Sequence, residues 1–215
     1  VIDTETTSLN PHLADLVGIS ISTKIGSACY IPLGHKKGQC LNQEKVLKKL
    51  KPILEDESIK KIGQNIKFDF IVLKHRGIKM NSMEDTMLMS YVLGAGKNRH
   101  NMDILSEIYL NHKTTSFKDL VGSGKKEINF SEVEINKAME YAAEDADITY
   151  RLYKIFQKNL KLEKLINIYE LFEKPLIEIL ANMEISGIKV DSNFLENLSI
   201  KFDKQIKDLE NEIYK

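Results

Sequence analysis

Two carboxylates, Asp3 and Glu5, are separated by one residue in a β-rich stretch at the start of the sequence. Successive side chains of a strand point to opposite faces, so these two carboxylates are expected to share one face. Burying two like charges side by side costs free energy, and a bound cation is the usual compensation. The tripeptide Asp3-Thr4-Glu5 also fits a polar strand end that enters a turn, so it predicts a metal site only together with further ligands.

Two more acidic residues lie in segments where helices are predicted. Asp69 follows a strand-to-helix junction and falls in the first turn of the helix, where the helix dipole also favours a simple capping carboxylate. Asp145 comes four residues after Tyr141, so the two side chains stack on one helical face. The two alanines between them allow that face to approach another element closely, although a buried tyrosine beside a surface acid fits the same pattern.

Together these segments predict a metal-dependent hydrolase site. It comprises the carboxylates of Asp3, Glu5, Asp69 and Asp145, with Tyr141 one turn before the last of them. Oxygen ligands without His or Cys select hard cations such as Mg²⁺ or Mn²⁺. Four carboxylates are more than one Mg²⁺ ion normally takes from a protein, which indicates a pair of ions about 4 Å apart. Such a pair holds the attacking and the leaving oxygen of a displacement at phosphorus, so the predicted chemistry is phosphodiester hydrolysis.

The composition is typical of a globular domain without a membrane span. The chain has 215 residues, 42% of them hydrophobic, and its 31 basic and 31 acidic residues give a formal net charge of zero. No apolar run approaches the roughly 20 residues that a membrane helix needs. Cys29 and Cys40 are isolated, which argues against a zinc site and favours a reducing cytosolic compartment. Val1 already resembles the middle of a strand, so we expect the sequence to be part of a longer chain.

The elements that would position the carboxylates are predicted from hydrophobic periodicity and capping residues. Strands come first and helices later, with some alternation, which favours a mixed sheet covered by helices over an all-helical bundle. Asn42 and Asp85 are the predicted N-caps of two helices, and Ser131-x-x-Glu134 has the pattern of a capping box that opens a third. Predicted strands cover Val1–Glu5, Leu16–Ser22, Ser27–Leu33 and Lys60–Gly63, and predicted helices begin at Asn42, Phe68, Thr86, Met102 and Ser131.

The character of the sequence changes after about residue 158. Residues 160–185 are predicted to form a long amphipathic helical segment that Pro175 interrupts, and residues 195–213 have apolar residues at coiled-coil-like spacing. We therefore expect one domain over residues 1–158 and the truncated start of a second over residues 159–215.

Three segments carry the predicted ligands: Asp-Thr-Glu-Thr-Thr-Ser-Leu at 3–9, Gly-Gln-Asn-Ile-Lys-Phe-Asp at 63–69 and Tyr-Ala-Ala-Glu-Asp-Ala-Asp at 141–147. They resemble the three exonuclease motifs of the bacterial DNA polymerase I family (family A), which belongs to the DEDD exonuclease superfamily and its subclass with Tyr in the third motif. The segments that begin at Asp85 and Arg99, and the one that ends at Phe117, are similar to the same proofreading domain. In the tail, residues 173–176 and 183–191 resemble the start of the polymerase domain, so the resemblance covers essentially the whole chain.

The resemblance implies an RNase H-like α/β fold. Its mixed sheet of about five strands would be flanked by helices and followed by the helices that open a truncated polymerase domain. It also implies that Asp3, Glu5 and Asp145 hold a first metal ion, which activates the attacking water. Asp3 would bridge to a second ion that Asp69 supports, and Tyr141 would orient the nucleophilic water through its hydroxyl. Mg²⁺ or Mn²⁺ would fill both positions.

Substrate contacts are implied as well. Leu9 and Phe117 match positions that wedge or stack against the terminal bases, and stacking tolerates any sequence because every base has a π-face. Anchoring of two loops in the core is the alternative interpretation of the same side chains. Asn65 and Arg99 would touch the terminal nucleotide or its phosphates. Phe68 stands where the family often has Tyr, which removes a hydroxyl beside the metal site with little expected effect.

The predicted function is that of a metal-dependent 3′-5′ exodeoxyribonuclease, which releases nucleoside 5′-monophosphates from single-stranded or frayed DNA ends. Two alternatives stay open: a catalytically silent DNA-end or interdomain module, and an RNA 3′-exonuclease of the RNase D type with the same acids. The polymerase-like residues 173–191 argue against the second. The expected partners are a single-stranded DNA 3′ end and the remainder of a polymerase in the same chain. We expect a monomer in the bacterial cytosol, associated with the nucleoid and not with a membrane.

A net charge of zero is compatible with nucleic-acid binding if the four carboxylates are metal ligands. Two divalent ions would add about four positive charges. Binding of a few terminal phosphates does not require a large excess of basic over acidic residues. The basic residues that could face a strand are Lys36, Lys37, Lys67, Lys97, Arg99, Lys125 and Lys126.

Overall fold

The computed structural model describes residues 1–124 and 127–214, and the chain divides into two compact units, Val1–Ile185 and Ser186–Lys215. The larger unit begins with three antiparallel strands, β1 (Ile2–Thr6), β2 (Leu16–Lys24) and β3 (Ser27–Pro32). A parallel pair follows, β4 (Lys61–Gly63) and β5 (Met83–Asp85). The described residues therefore form five strands of mixed orientation, and the predicted α/β class is confirmed.

Helices follow and flank the strands. The larger unit contains α1 (Gln43–Glu55), α2 (Ile66–Lys74), α3 (Thr86–Gly94), α4 (Met102–Leu110), α5 (Phe117–Val121), α6 (Ile135–Leu162), α7 (Ile166–Ile168) and all but the last residue of α8 (Lys174–Ser186). The smaller unit contains α9 (Ser192–Ile213). A short 3-10 turn, Phe130–Glu132, precedes α6, and a π-helical turn, Tyr169–Glu173, precedes α8.

The longest helix packs directly on the sheet. α6 lies against β1, β2 and β3 and also contacts α3 and α4. α1, α2 and α8 contribute to an apolar cluster that contains Ile2 and Ile19 of the sheet.

The strands differ from the predicted single sheet in one respect. β1 lies beside β4, but the described residues form two separate ladders, β1-β2-β3 and β4-β5. Val1 exchanges backbone hydrogen bonds with Ser22 of β2. By strand alternation the N–H of Thr4 therefore points to the opposite edge of β1, toward β4. There it donates to Asp69 Oδ1 at 2.8 Å. This edge of β1 therefore holds a side chain of α2 where a ladder to β4 was expected.

Two of the three predicted helix caps are confirmed. The side chain of Asn42 accepts a hydrogen bond from the N–H of Lys45, and that of Asp85 accepts from Met87 and Leu88. These caps depend only on residues two or three positions apart, which is why the local pattern predicts them.

The prediction of a capping box at Ser131-x-x-Glu134 is wrong, because the capping box lies two residues earlier. Asn129 and Glu132 form it around the 3-10 turn, and Glu134 is the N-cap of α6 without a side-chain hydrogen bond. The hydroxyl of Ser131 donates to Asn129 Oδ1 at 2.8 Å, so this side chain is already engaged with the earlier box.

The segment after α6 differs from the predicted long helix interrupted at Pro175. α6 extends to Leu162, and α7, the π-helical turn and α8 follow. Pro175 is the second residue of α8, which follows directly after the π-helical turn, so it does not end the helical segment. Tyr169, Ile177 and Ala181 from this segment are buried within the larger unit.

The predicted boundary between residues 158 and 159 concerns membership of a polymerase domain, and it stays a prediction. No helix in the described part of the chain combines the length and the hydrophobicity needed to cross a membrane.

Candidate active site

The four predicted carboxylates line a single cleft. β1 contributes Asp3 and Glu5, α2 contributes Asp69, and α6 contributes Asp145. The cleft has a volume of about 420 Å³. Three segments that are far apart in the sequence therefore place their acidic side chains against the same space, next to Tyr141.

Thr4 fixes the position of Asp69 relative to β1. The Oδ1 atom of Asp69 accepts two hydrogen bonds from this residue, from the N–H at 2.8 Å and from the hydroxyl at 2.5 Å. Both residues are buried, and Oδ2 is left to face other partners. The sequence analysis missed this role, and its only local signal is a threonine between two acidic residues of a strand.

α6 brings Asp145 and Tyr141 to the cleft by a close approach to the sheet. Ala138, Ala142 and Ala146 on its packed face are fully buried, and small side chains let a helix backbone come near a neighbouring strand. Asp145 is 6% exposed. The expectation that alanine permits close packing of this helix is met by Ala142, whereas Ala143 is only half-buried.

Burial and mutual repulsion oppose ionisation of the cluster. Burial raises the pKa of Asp3 to about 6. Burial also raises the pKa of Glu5, Asp69 and Asp145 well above its usual range, and the negative charge of Asp3 raises each of the three further. Lys and Arg are absent from the described residues that line the cleft, so these residues place no cation beside the carboxylates.

The donor set fits a divalent cation in its chemistry. Buried carboxylate oxygens without His or Cys are the ligands that Mg²⁺ and Mn²⁺ prefer. Among residues 1–124 and 127–214, no three His, Cys, Asp or Glu side chains are already arranged as a metal-binding group.

An aromatic wall borders the carboxylates. The rings of Phe117 and Phe130 are nearly parallel, at 6° and a centroid distance of 6.2 Å, and both rings lie 6.2 Å from that of Tyr141. Phe117 is 42% exposed and Phe130 is 2% exposed. Phe130 thus supports the other two rings from behind, a role that the sequence analysis did not predict.

Three of the four predicted substrate contacts reach the cleft. Leu9, Asn65 and Phe117 line it together with Phe68, and Leu9 is 93% exposed, so it does not anchor its loop in the core. Arg99 is exposed in the loop before α4 and is not among the described residues that line the cleft.

The predicted basic surroundings are partly engaged elsewhere. Lys36 pairs with Glu132 at 2.8 Å, and Lys67 pairs with Glu184. Lys37, Lys97 and Arg99 are exposed. Lys125 and Lys126 lie outside the described residues.

The chain matches a known protein family over most of its length. Residues 1–161 match a family described as 3′-5′ exonuclease. The chain is 43% identical over 233 residues to DNA polymerase I of Rhizobium leguminosarum, an alignment that covers 99% of this chain and 23% of that protein. The chain thus spans about a quarter of the length of this relative.

Solved structures show the same fold. Brucella melitensis NrnC with bound Mg²⁺ is 26% identical and superposes with a TM-score of 0.67, over 89% of this chain and 87% of that one. The POL domain of Pol1 from M. smegmatis, in complex with DNA primer-template and dNTP, is 22% identical with a TM-score of 0.74, over 96% of this chain and 32% of that one.

Proposed function

Since the chain belongs to the 3′-5′ exonuclease family, we propose that it is the proofreading exonuclease part of a family A DNA polymerase. It would remove nucleotides from a single-stranded or frayed DNA 3′ end and release nucleoside 5′-monophosphates. The observation that carries this proposal is the meeting of four carboxylates and Tyr141 in one cleft. The polymerase relative, aligned over 99% of the chain, supports the assignment to a polymerase.

The family depends on divalent metal ions, and we propose two ions, Mg²⁺ or Mn²⁺, at the carboxylates. Asp3, Glu5 and Asp145 would hold the first, and Asp3 would share the second with Asp69. When bound, such ions lower the pKa of a coordinated water and offset charge on the phosphate oxygens. Asp69 can offer Oδ2, because Thr4 already occupies Oδ1.

Tyr141 would hold the attacking water as a hydrogen-bond partner. Burial, and then the negative charges of Asp145 and Glu5, raise its pKa above the ordinary value. Its hydroxyl therefore keeps the proton at neutral pH. A protonated hydroxyl at the cleft can orient a water molecule but cannot act as a general base.

The rim of the cleft suits the last bases of a single strand. Leu9 and Phe117 present apolar surface on which a base can wedge or stack, and Asn65 presents an amide to the terminal nucleotide. We retain Arg99 as a phosphate contact outside the cleft. Residues 159–215 would begin the polymerase domain of the same cytosolic chain, which we propose to be monomeric.

The two alternatives are less well supported. A catalytically silent module has no need of four acids in one cleft, three of them buried. An RNA 3′-exonuclease of the RNase D type shares the acids, and NrnC shares the fold. The similarity to a polymerase over the tail as well as the motifs argues for DNA.

The proposal is tested by incubating the chain with 5′-labelled single-stranded DNA and, in parallel, RNA of the same sequence. With Mg²⁺ or Mn²⁺ we expect stepwise shortening of the DNA from the 3′ end, nucleoside 5′-monophosphate as product, and no shortening after chelation. Shortening that survives chelation contradicts the metal mechanism. Faster cleavage of RNA favours the RNase D-like alternative, and binding of DNA ends without cleavage favours the silent module.

Replacing Thr4 by Val is expected to lower exonuclease kcat about tenfold. Valine keeps the shape but removes the hydroxyl that donates to Asp69 Oδ1, and a lost hydrogen bond to a charged group is worth roughly 1.5–3 kcal/mol. Thr149→Val is the matched control, because Thr149 is also buried and its hydroxyl contacts the sulfur of Met102 away from the cleft. Equal rates for Thr4→Val and the wild-type chain would contradict the positioning role of Thr4.

Replacing Phe117 by Ala is expected to raise KM for single-stranded DNA about tenfold with a smaller change in kcat. Stacking of a base on an aromatic ring contributes roughly 1–3 kcal/mol, and Phe117 is the exposed ring of the wall. Phe172→Ala is the control, because Phe172 is also exposed but is not a described lining residue of the cleft. A tenfold loss in kcat at unchanged KM would show that Phe117 does not act by binding the strand.

A further inference from the structure

A buried polar network connects Tyr169 to β5. The Tyr169 hydroxyl accepts a hydrogen bond from the N–H of Asp85 at 2.9 Å and donates to Glu84 Oε2 at 3.1 Å. Glu84 is 2% exposed and also receives the ammonium groups of Lys174 at 2.9 Å and Lys60 at 3.1 Å. Tyr169 and Lys174 lie beyond residue 161, where the match to the exonuclease family ends.

The side chain of Asp85 holds the starts of two helices at once. Its Oδ1 accepts from the N–H groups of Met87 at 2.8 Å and Asn65 at 3.0 Å, and its Oδ2 accepts from that of Ile66 at 3.0 Å. The carboxylate is 1% exposed. The first turn of α2 and the first turn of α3 therefore depend on the same buried group.

Asn65 needs such a support. Its backbone is left-handed, with φ 60° and ψ 45°, and its side chain makes no capping hydrogen bond. Asn adopts this conformation more readily than most residues with a side chain, but the conformation still costs free energy that the surroundings must offset. With its N–H turned toward Asp85, Asn65 is exposed and lines the cleft. Asp69 follows one turn later on the same helix.

α8 supports the same helix through its apolar face. Ile177 and Ala181 are buried in the apolar cluster that contains Ile66 and Phe70 of α2. Lys74 at the end of α2 donates to the side-chain oxygen of Asn182. The residues after position 161 thus contact α2 directly as well as through β5.

We propose that Asp85 and Tyr169 are positioning residues of the exonuclease site, a proposal that rests on the function proposed above. Tyr169 holds the backbone N–H of Asp85 and orients β5. Asp85 in turn fixes the conformation of Asn65 and the first turn of α2, which carries Asp69. The segment after residue 161 therefore fixes the conformation of the part of the cleft, at Asn65, that is proposed to contact the terminal nucleotide.

Tyr169→Phe in the full chain tests the proposal, because it removes one hydroxyl and keeps the ring. We expect kcat/KM on single-stranded DNA to fall about fivefold, mainly through KM, since the loss acts on Asn65. Tyr109→Phe is the matched control: Tyr109 packs edge to face on Phe156, 4.8 Å away, in the same apolar cluster as Tyr169. Equal effects of the two variants on KM would overturn the proposal.

A double-mutant cycle separates positioning from general destabilisation. Glycine adopts a left-handed backbone without strain, so Asn65→Gly removes both the side chain and the need for support. In that background Tyr169→Phe is expected to change KM less than twofold. A fivefold effect that persists in the Asn65→Gly chain would show that Tyr169 does not act through Asn65.

Amide hydrogen exchange of the metal-free chain gives a readout without catalysis. The amides of Asn65 and Ile66 are expected to exchange about fivefold faster in Tyr169→Phe, whereas that of Ile19 in β2 keeps its rate. Unchanged exchange at Asn65 and Ile66, or the same acceleration in Tyr109→Phe, overturns the proposal. A wild-type chain that cleaves no 3′ end would contradict the proposed function, and the exchange result would still decide whether Tyr169 holds this turn.

Discussion

Asp3→Asn is expected to lower exonuclease kcat about a thousandfold and, at the same time, to stabilise the metal-free chain. Asp3 is the carboxylate proposed to serve both ions, and a thousandfold loss corresponds to about 4 kcal/mol of transition-state stabilisation. Asparagine offers one neutral oxygen, so it is a poor ligand for two hard cations. Single-turnover cleavage of labelled single-stranded DNA measures the loss.

The gain in stability follows from the environment of Asp3. Burial raises its pKa to about 6 from the ordinary value of 3.8, so near neutral pH the ionised form is less favourable in the folded chain than in the unfolded one. Removing the charge relieves this cost and the repulsion on Glu5, and we expect the free energy of unfolding to rise by about 1–2 kcal/mol. Urea unfolding of the metal-free protein measures the change.

Asp147→Asn is the control for both measurements. Asp147 lies on the same helix as Asp145, but it pairs with Arg151 at 2.6 Å and lies outside the described lining of the cleft. We expect this variant to keep its activity and to lose a little stability. If Asp3→Asn retained more than about a tenth of the wild-type rate, the assignment of Asp3 as a ligand of both ions would be wrong.

Mn²⁺ is expected to raise the thermal midpoint of the wild-type chain by about 5–10 °C. An ion that binds only the folded state at a hundred times its dissociation constant adds about 2.7 kcal/mol, and each kcal/mol shifts the midpoint of a chain of this size by roughly 2–4 °C. The physical source is the neutralisation of four carboxylates in the cleft, which have no Lys or Arg among its described lining residues.

Calorimetric unfolding with Mn²⁺, with Mg²⁺ and with chelator measures this shift. Asp145→Asn is expected to lose most of it, and Asp147→Asn, on the same helix, is expected to keep it. Isothermal titration of the wild-type chain then counts the ions. Binding of a single ion would contradict the two-ion proposal, and the absence of any shift in the wild-type chain would contradict a metal site at these carboxylates.

The carboxylates could be predicted because their signals are local. Asp3 and Glu5 share a face through strand alternation, and Tyr141 and Asp145 share one through helical periodicity. The resemblance of the three motifs then joined the segments into one site. The caps at Asn42 and Asp85 were predictable for the same reason, since the donor and the acceptor lie within three residues.

Most of the features that the sequence did not predict depend on contacts between segments that are distant in the chain. Thr4 contacts Asp69, 65 positions away in the chain, and Phe130 of the 3-10 turn packs on Phe117 of α5. β5 is only three residues long, too short for a period to appear. Asp85 has an obvious local role as a cap, which conceals its second role at Asn65, 20 positions earlier in the chain.

The packing of α8 on α2 has a consequence for how the chain folds as it is made. The last residue of α2, Lys74, is followed by the first residue of α8, Lys174, only 100 positions later. At synthesis rates of about 5–20 residues per second, roughly 5–20 seconds pass between the two. During that interval Phe70 and its apolar neighbours lack the cover that Ile177 and Ala181 provide. A nascent chain that ends near residue 161 already contains every proposed ligand, yet it is still a candidate for chaperone binding.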